Sequence, residues 1–166
     1  MKGFIRPLIW VVSGSGKSIA TSYQQEKMKI LFLYPNSGSQ LGFNYGVAYL
    51  AAVLKEAGHE VVFRQLCEDL EPLPGKEDLV AFVKDAAPDI IGFSVVTNQW
   101  AYAAQLAGWL REAFAAPLVC GGIHATVAAE EVLNTGLFDY VLLGECEEAF
   151  LDFVEKLARR EDVSAV

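Results

Sequence analysis

A chain of 166 residues with 53% hydrophobic side chains has room for one domain and one sizeable core, because a domain of this size hides well over half of its unfolded surface. A net charge of −8 with only thirteen basic residues, scattered along the chain, excludes a nucleic-acid interface, which draws its affinity from clustered Lys and Arg at phosphates. No apolar run approaches the roughly 18 residues that span a bilayer, and Cys67, Cys120 and Cys146 are too few and too far apart for a disulfide framework or a CxxxCxxC cluster site, so the chain reads as cytoplasmic.

Residues 1–27 stand apart: a short apolar run, a Gly/Ser turn and a polar tail lead to Met28. They read as an N-terminal extension, disordered or non-native, with Met28 the natural beginning. The apolar core PLIWVV is shorter than the roughly 7–15 residues of a signal peptide. GSGKS at Gly14 to Ser18 has the look of a phosphate loop, yet that pattern wants glycine where this chain has Val11, a β-branched residue poorly suited to positive φ.

From Lys29 onward, short continuous apolar runs alternate with amphipathic stretches. KILFLY (29–34) is the first predicted strand. The loop after it, YPNSGSQLGFNYG, is longer than the roughly 2–6 residues a βα connection needs, and it supplies Asn36, Gly42, Tyr45 and Gly46 as candidate ligand contacts. Val47, Leu50, Ala51 and Leu54 recur at helical spacing. EVVFRQ (60–65) is the second strand, and Leu79, Phe82, Val83 and Ala86 mark the second helix, ended by Pro88.

DIIGFS (89–94) is the third strand, and its exit offers Ser94, Val95, Thr97 and Asn98, with Thr97 or Asn98 also able to cap the helix that runs from Trp100 to Phe114. PLVCGG (117–122) is the fourth. Gly121 and Gly122 lack a Cβ, so a large flat ligand or another backbone can approach closely, and His124 is the one imidazole nearby. His59 sits on a helix-to-strand turn and reads as structural. A short helix over Thr126 to Leu133 leads to DYVLLG (139–144), which ends in Gly144 and Glu145. The last helix starts near Glu147, with Phe150, Val154 and Leu157 on its buried side, and residues 161–166 read as the start of a linker.

Strands buried on both faces and separated by helices imply a parallel α/β sheet. Right-handed crossovers wind five such units over residues 28–160 into a flavodoxin-like, doubly wound sheet of order 2-1-3-4-5 with helices on both faces. The ligand crevice then lies at the carboxyl ends of the strands, beside the switch point between the first and third. No acid–base pair or nucleophile-and-base set stands there, so the chain reads as a binding module without catalytic residues or a protein metal ligand.

Several segments together resemble the cobalamin-binding domain that precedes the catalytic domain of many radical-SAM enzymes. They are the YP opening after the first strand, Gly46-Val-Ala-Tyr49-Leu50-Ala51-Ala52, Pro88-Asp89-Ile90-Ile91-Gly92-Phe93-Ser94, CGGIHATVAAEEVL with Gly121, Gly122, His124 and Thr126, and DYVLLGECEEAF with Gly144, Glu145 and Glu147. The resemblance implies cobalamin, with its corrin over the strand ends and its nucleotide tail beside Ser94 and the two glycines. It also implies a downstream radical-SAM domain that holds S-adenosylmethionine and a 4Fe-4S cluster and carries out methyl transfer or related radical chemistry. Relatives that ligate cobalt through histidine carry Asp-x-His-x-x-Gly after the first strand. Here that loop has no histidine, which implies a cofactor with its base displaced and no histidine ligand.

Two other readings share the fold. A flavin-dependent electron carrier would wrap a phosphate in SGSQLG, and a degenerate domain would serve as a scaffold without cofactor. A signalling receiver is excluded, because it needs acidic residues, a phosphorylatable Asp and a Lys where this chain has Tyr34-Pro35, Ser94 and Gly144.

Overall fold

The computed structural model describes the backbone of residues 8–9, and residues 26–38 and 41–163. One parallel sheet runs through it, built from β1 (Leu8–Ile9), β2 (Lys29–Pro35), β3 (Glu60–Leu66), β4 (Ile90–Ser94), β5 (Leu118–Gly121) and β6 (Tyr140–Val141), in the spatial order β1-β6-β5-β4-β2-β3. The strands β2 to β6 are the five expected from the sequence, in the expected order. The two-residue β1 is an addition from the segment read as an extension, with Leu8 opposite Tyr140 and Ile9 opposite Val141. The glycine-rich decoy at 14–18 lies outside the described residues.

Alternation along each strand sends successive side chains to opposite faces, so each central strand feeds two cores. Leu31, Leu33, Ile91, Phe93, Leu118 and Cys120 lie in one, whereas Ile30, Phe32, Ile90 and Val119 lie in the other. The first core is closed by α2 (Lys76–Ala86), α3 (Trp100–Ala113), α4 (Ile123–Val127) and α5 (Ala129–Asn134). The second is closed by α1 (Tyr45–Glu56) and α6 (Glu147–Ala158), with Val47, Leu54, Phe150, Phe153 and Val154 packed against the sheet. Among the described residues no helix is long and apolar enough to cross a membrane.

Two boundaries differ from expectation. The single helix read over Thr126 to Leu133 is two short ones, broken at Ala128 (φ −136°, ψ 37°). The Ala128 N–H closes α4 on the His124 carbonyl while its own carbonyl accepts the Val132 N–H to open α5, so two helices out of phase blend into one apolar period. Val163, placed in the linker by the sequence, is only 9% exposed and joins the second core.

Two aspartates pin strand ends at the amino edge of the sheet. Asp89, ahead of β4, accepts the Lys29 N–H at 2.7 Å, and Asp139, ahead of β6, accepts the Leu118 N–H at 2.8 Å while binding Arg111 of α3 at 2.6 Å. At the opposite edge Gly122 takes φ +94°, and a Cβ there would stand 2.7 Å from the Val95 amide nitrogen and carbonyl oxygen. That closeness is what lets Val95 donate to Gly121 at 2.9 Å and accept from His124 at 3.0 Å.

Gly122→Ala is therefore expected to destabilise the chain by about 2 kcal/mol, through strain at positive φ and backbone overlap; an unchanged urea midpoint would refute this. His59 is buried, its Nδ1 accepts the Met28 N–H at 3.2 Å, and burial pushes its pKa below the ordinary value, with Glu155 pulling partly back. A base harder to protonate when folded adds stability that is complete above the unfolded value and is lost as pH falls toward the folded value. The melting temperature should thus drop more steeply from about pH 7 to about pH 5 in the wild type than in His59→Gln, and equal slopes would remove His59 from the account.

Candidate functional site

Between the first turns of α1 and α6, over the carboxyl ends of β2, β4 and β5, lies a cleft of about 310 Å³. This is where open α/β sheets receive ligands, at the switch in strand order. Phe32, Val119, Leu142 and Phe150 make its walls apolar, and Tyr45, Tyr49, Ser94, Glu145 and Glu147 supply polar groups.

Local chemistry sets its shape. An added Cβ at Gly92 would lie 2.9 Å from the Phe32 ring, so glycine there allows that ring to rest on the neighbouring strand. At Gly121, which lines the cleft, a Cβ would make ordinary contacts at 3.8 Å with Leu142 Cβ and the Phe93 carbonyl oxygen, so glycine there is not forced by crowding. Asn44 caps α1: its side-chain oxygen accepts the Val47 N–H at 2.9 Å, and its Nδ2 donates to Ser94 Oγ at 3.0 Å. On the far rim the Gly144 N–H, at φ +67°, donates to Thr126 Oγ1 at 2.9 Å and joins the loop before α6 to α4.

Of the contacts named from the sequence, Tyr45, Gly46, Ser94, Gly121, Gly122, Gly144 and Glu145 line this cleft. The others do not. Asn36 is buried and accepts from Gln99 Nε2 at 2.8 Å, and Gly42 lies exposed in the loop. Val95 is buried in the first core; Thr97 and Asn98 are exposed on a 3₁₀ turn, Thr97–Gln99, that enters α3 without a side-chain cap bond. His124 is 3% exposed, stacks on Trp100 at 4.6 Å between ring centroids, and has neither ring nitrogen hydrogen-bonded. It faces the first core, across the sheet from the cleft, because the chain crosses to that face after Gly122. Sequence reasoning missed Asn44 and the apolar walls. The Asn-before-helix cap pattern was available for the first, and no local signal separates a cleft wall from a core residue.

No Lys, Arg or His lines the cleft among the described residues, and two carboxylates do. Such a surface suits neutral, amide-bearing or aromatic groups and repels a phosphate dianion. The loop proposed to wrap a flavin phosphate is already engaged: the Gly38 N–H donates to Glu68 at 3.1 and 3.2 Å, and the Leu41 N–H to Asp69 at 3.2 Å. Cys146 also lines the cleft, and burial, helped by Glu147, pushes its thiol up to about 11, so it stands there as an unreactive, weakly polar group.

The cytidylyl-2-hydroxyethylphosphonate methyltransferase of Streptomyces wedmorensis is 29% identical over 166 residues, covering 86% of this chain and 30% of that protein. Among solved structures, the radical S-adenosylmethionine methyltransferase TsrM from Kitasatospora setae, with cobalamin and a [4Fe-4S] cluster bound, matches with TM-score 0.72 at 18% identity, over 82% of this chain and 25% of that one. The cobalamin-dependent radical enzyme OxsB, with aqua-cobalamin bound, matches with TM-score 0.66 at 16% identity, over 83% and 20%. The chain thus spans less than a third of each relative's length, and at these identities the two structures speak to the fold alone. The model of the B12 binding domain family matches residues 37–154, which takes in most of the chain and every cleft residue but Phe32, and this protein belongs to that family.

Proposed function

We propose that this chain binds cobalamin at the carboxyl edge of its sheet and presents it to a radical-SAM catalytic domain outside these residues, for methyl transfer or related radical chemistry. The observation that carries the reading is the apolar cleft with Gly121 bare of a side chain at its floor, the Ser94 hydroxyl on the neighbouring strand and, among the described residues, no cation. A corrin is broader than this cleft, so the neutral base of the nucleotide tail is the part that enters, its phosphodiester stays at the mouth in solvent, and the macrocycle belongs over the mouth. Ser94 would hydrogen-bond the tail, Gly46 and Gly121 would leave it room, and Glu145 would accept from the amides at the corrin's periphery. Bound there, cobalamin supplies a centre that takes up and gives away a methyl group. S-adenosylmethionine and an iron–sulfur cluster would belong to the catalytic domain.

Exposed apolar side chains around the mouth fit a surface covered in the working protein: Phe43 and Tyr45 are each 69% exposed, and Ile123 and Val127 more than half exposed. The unbridged thiols of Cys120 and Cys146 fit a reducing cytosol. The loop before α1 carries no histidine and His124 faces away from the cleft, so cobalt would receive no imidazole from this chain and the cofactor's own base would be displaced into the cleft.

Incubation with hydroxocobalamin should leave a coloured protein after desalting. Gly121→Leu, which fills the floor, should weaken binding at least about tenfold with little change in melting temperature. A wild type that retains no corrinoid, or a leucine variant that binds as well as wild type, would overturn the proposal. The reduced, Co(II) complex should show no nitrogen hyperfine splitting in its EPR spectrum, and a splitting that survives His124→Ala would contradict the displaced-base reading.

A further inference from the structure

The cap of α1 decides which way a hydrogen bond in the cleft runs. A backbone N–H only donates, so the atom of Asn44 that faces the Val47 N–H at 2.9 Å has to be its oxygen. That fixes an amide whose two ends are otherwise interchangeable: Nδ2 faces Ser94 Oγ at 3.0 Å, and Nδ2 also only donates. Ser94 Oγ is therefore the acceptor in this pair, and its own proton has to go elsewhere. Among the described residues nothing takes it, while Ser94 lines the cleft beside the apolar walls of Phe32, Val119, Leu142 and Phe150.

We propose that Asn44 is a positioning residue that sets the hydrogen-bond direction of Ser94, so that the cleft presents an oriented O–H donor and recognises a neutral acceptor, a ring nitrogen or carbonyl oxygen, on the group that enters it. The proposal rests on the corrinoid reading above and deepens it, since the acceptor belongs to the nucleotide tail. One asparagine ahead of Tyr45 starts α1, ties its first turn to the end of β4, and orients the Ser94 hydroxyl.

Asn44→Asp separates these roles. Its carboxylate still caps Val47 but accepts where the amide donated, so it draws the Ser94 proton away from the cleft. Asn44→Ser keeps a cap and leaves Ser94 free to turn toward the ligand. In hydroxocobalamin titrations, Asn44→Asp and Ser94→Ala should each weaken binding about five- to tenfold, and Asn44→Asp should add nothing in the Ser94→Ala background. Asn44→Ser, which keeps the cap but no longer fixes the Ser94 proton, should weaken binding about two- to threefold, less than Asn44→Asp. Cobinamide, which lacks the nucleotide tail, should bind all variants as it binds wild type, and Asn44→Asp should melt with the wild type.

Wild-type affinity in Asn44→Asp, Asn44→Ser or Ser94→Ala, a loss in Asn44→Asp that persists in the Ser94→Ala background, a loss in Asn44→Ser as large as that in Asn44→Asp, or an equal loss for cobinamide would each overturn the assignment. A wild type that binds neither corrinoid would instead overturn the function proposed above.

Discussion

The central strands of this sheet bury side chains on both faces, and that single demand organises the molecule. Ile30 and Phe32 point to one side of β2 and Leu31 and Leu33 to the other, so apolar surface has to be covered twice. Right-handed crossovers leave one way to do it with this strand order. The helices that follow β3, β4 and β5 close one side, and the helices that follow β2 and β6 close the other. The two in the second group meet the sheet from either flank of the switch point, and the space between their first turns is the cleft. Its position is thus a by-product of covering the core, and the residues at its floor had only to stay small.

Much of the architecture was legible because it depends on burial, which composition records directly. Runs such as KILFLY and DIIGFS have no amphipathic option and can only be interior strands. The site was legible in part, for a reason that can be stated face by face. Tyr45 and Gly46 open α1 and Gly144 and Glu145 precede α6, the two helices that share the cleft face, whereas Val95, Thr97, Asn98 and His124 follow strands whose chain crosses to the other face. All of them leave the carboxyl edge, and only the handedness of each connection sorts them. Phe32, Val119, Leu142 and Phe150 escaped notice because a side chain that packs a core and one that walls a cleft are chosen by the same physics.

Adjacent glycines at the end of β5 illustrate how one sequence feature divides into two roles. Gly122 is required by the backbone, since Val95 occupies the volume a side chain would need. Gly121 is forced by nothing in its own surroundings, because a Cβ there would make only ordinary contacts, at 3.8 Å, with Leu142 Cβ and the Phe93 carbonyl oxygen. An absent side chain with no structural reason at the bottom of a cleft is the stronger indication of an incoming group, and it is the feature on which the cobalamin reading leans most.

The added strand β1 bears on how the sheet ends. β6 and β1 pair over only two residues, too short a ladder to template another chain's backbone. The other border is β3, seven residues long, where Glu60 pairs with Lys29 at 2.8 Å and Arg64 with Glu71 at 2.8 Å while lying over Phe82. Charged groups held along a border strand discourage edge-to-edge joining. At the β3 margin the sheet is therefore guarded by charge, whereas the exposed apolar side chains of Phe43, Tyr45, Ile123 and Val127 gather toward the carboxyl edge.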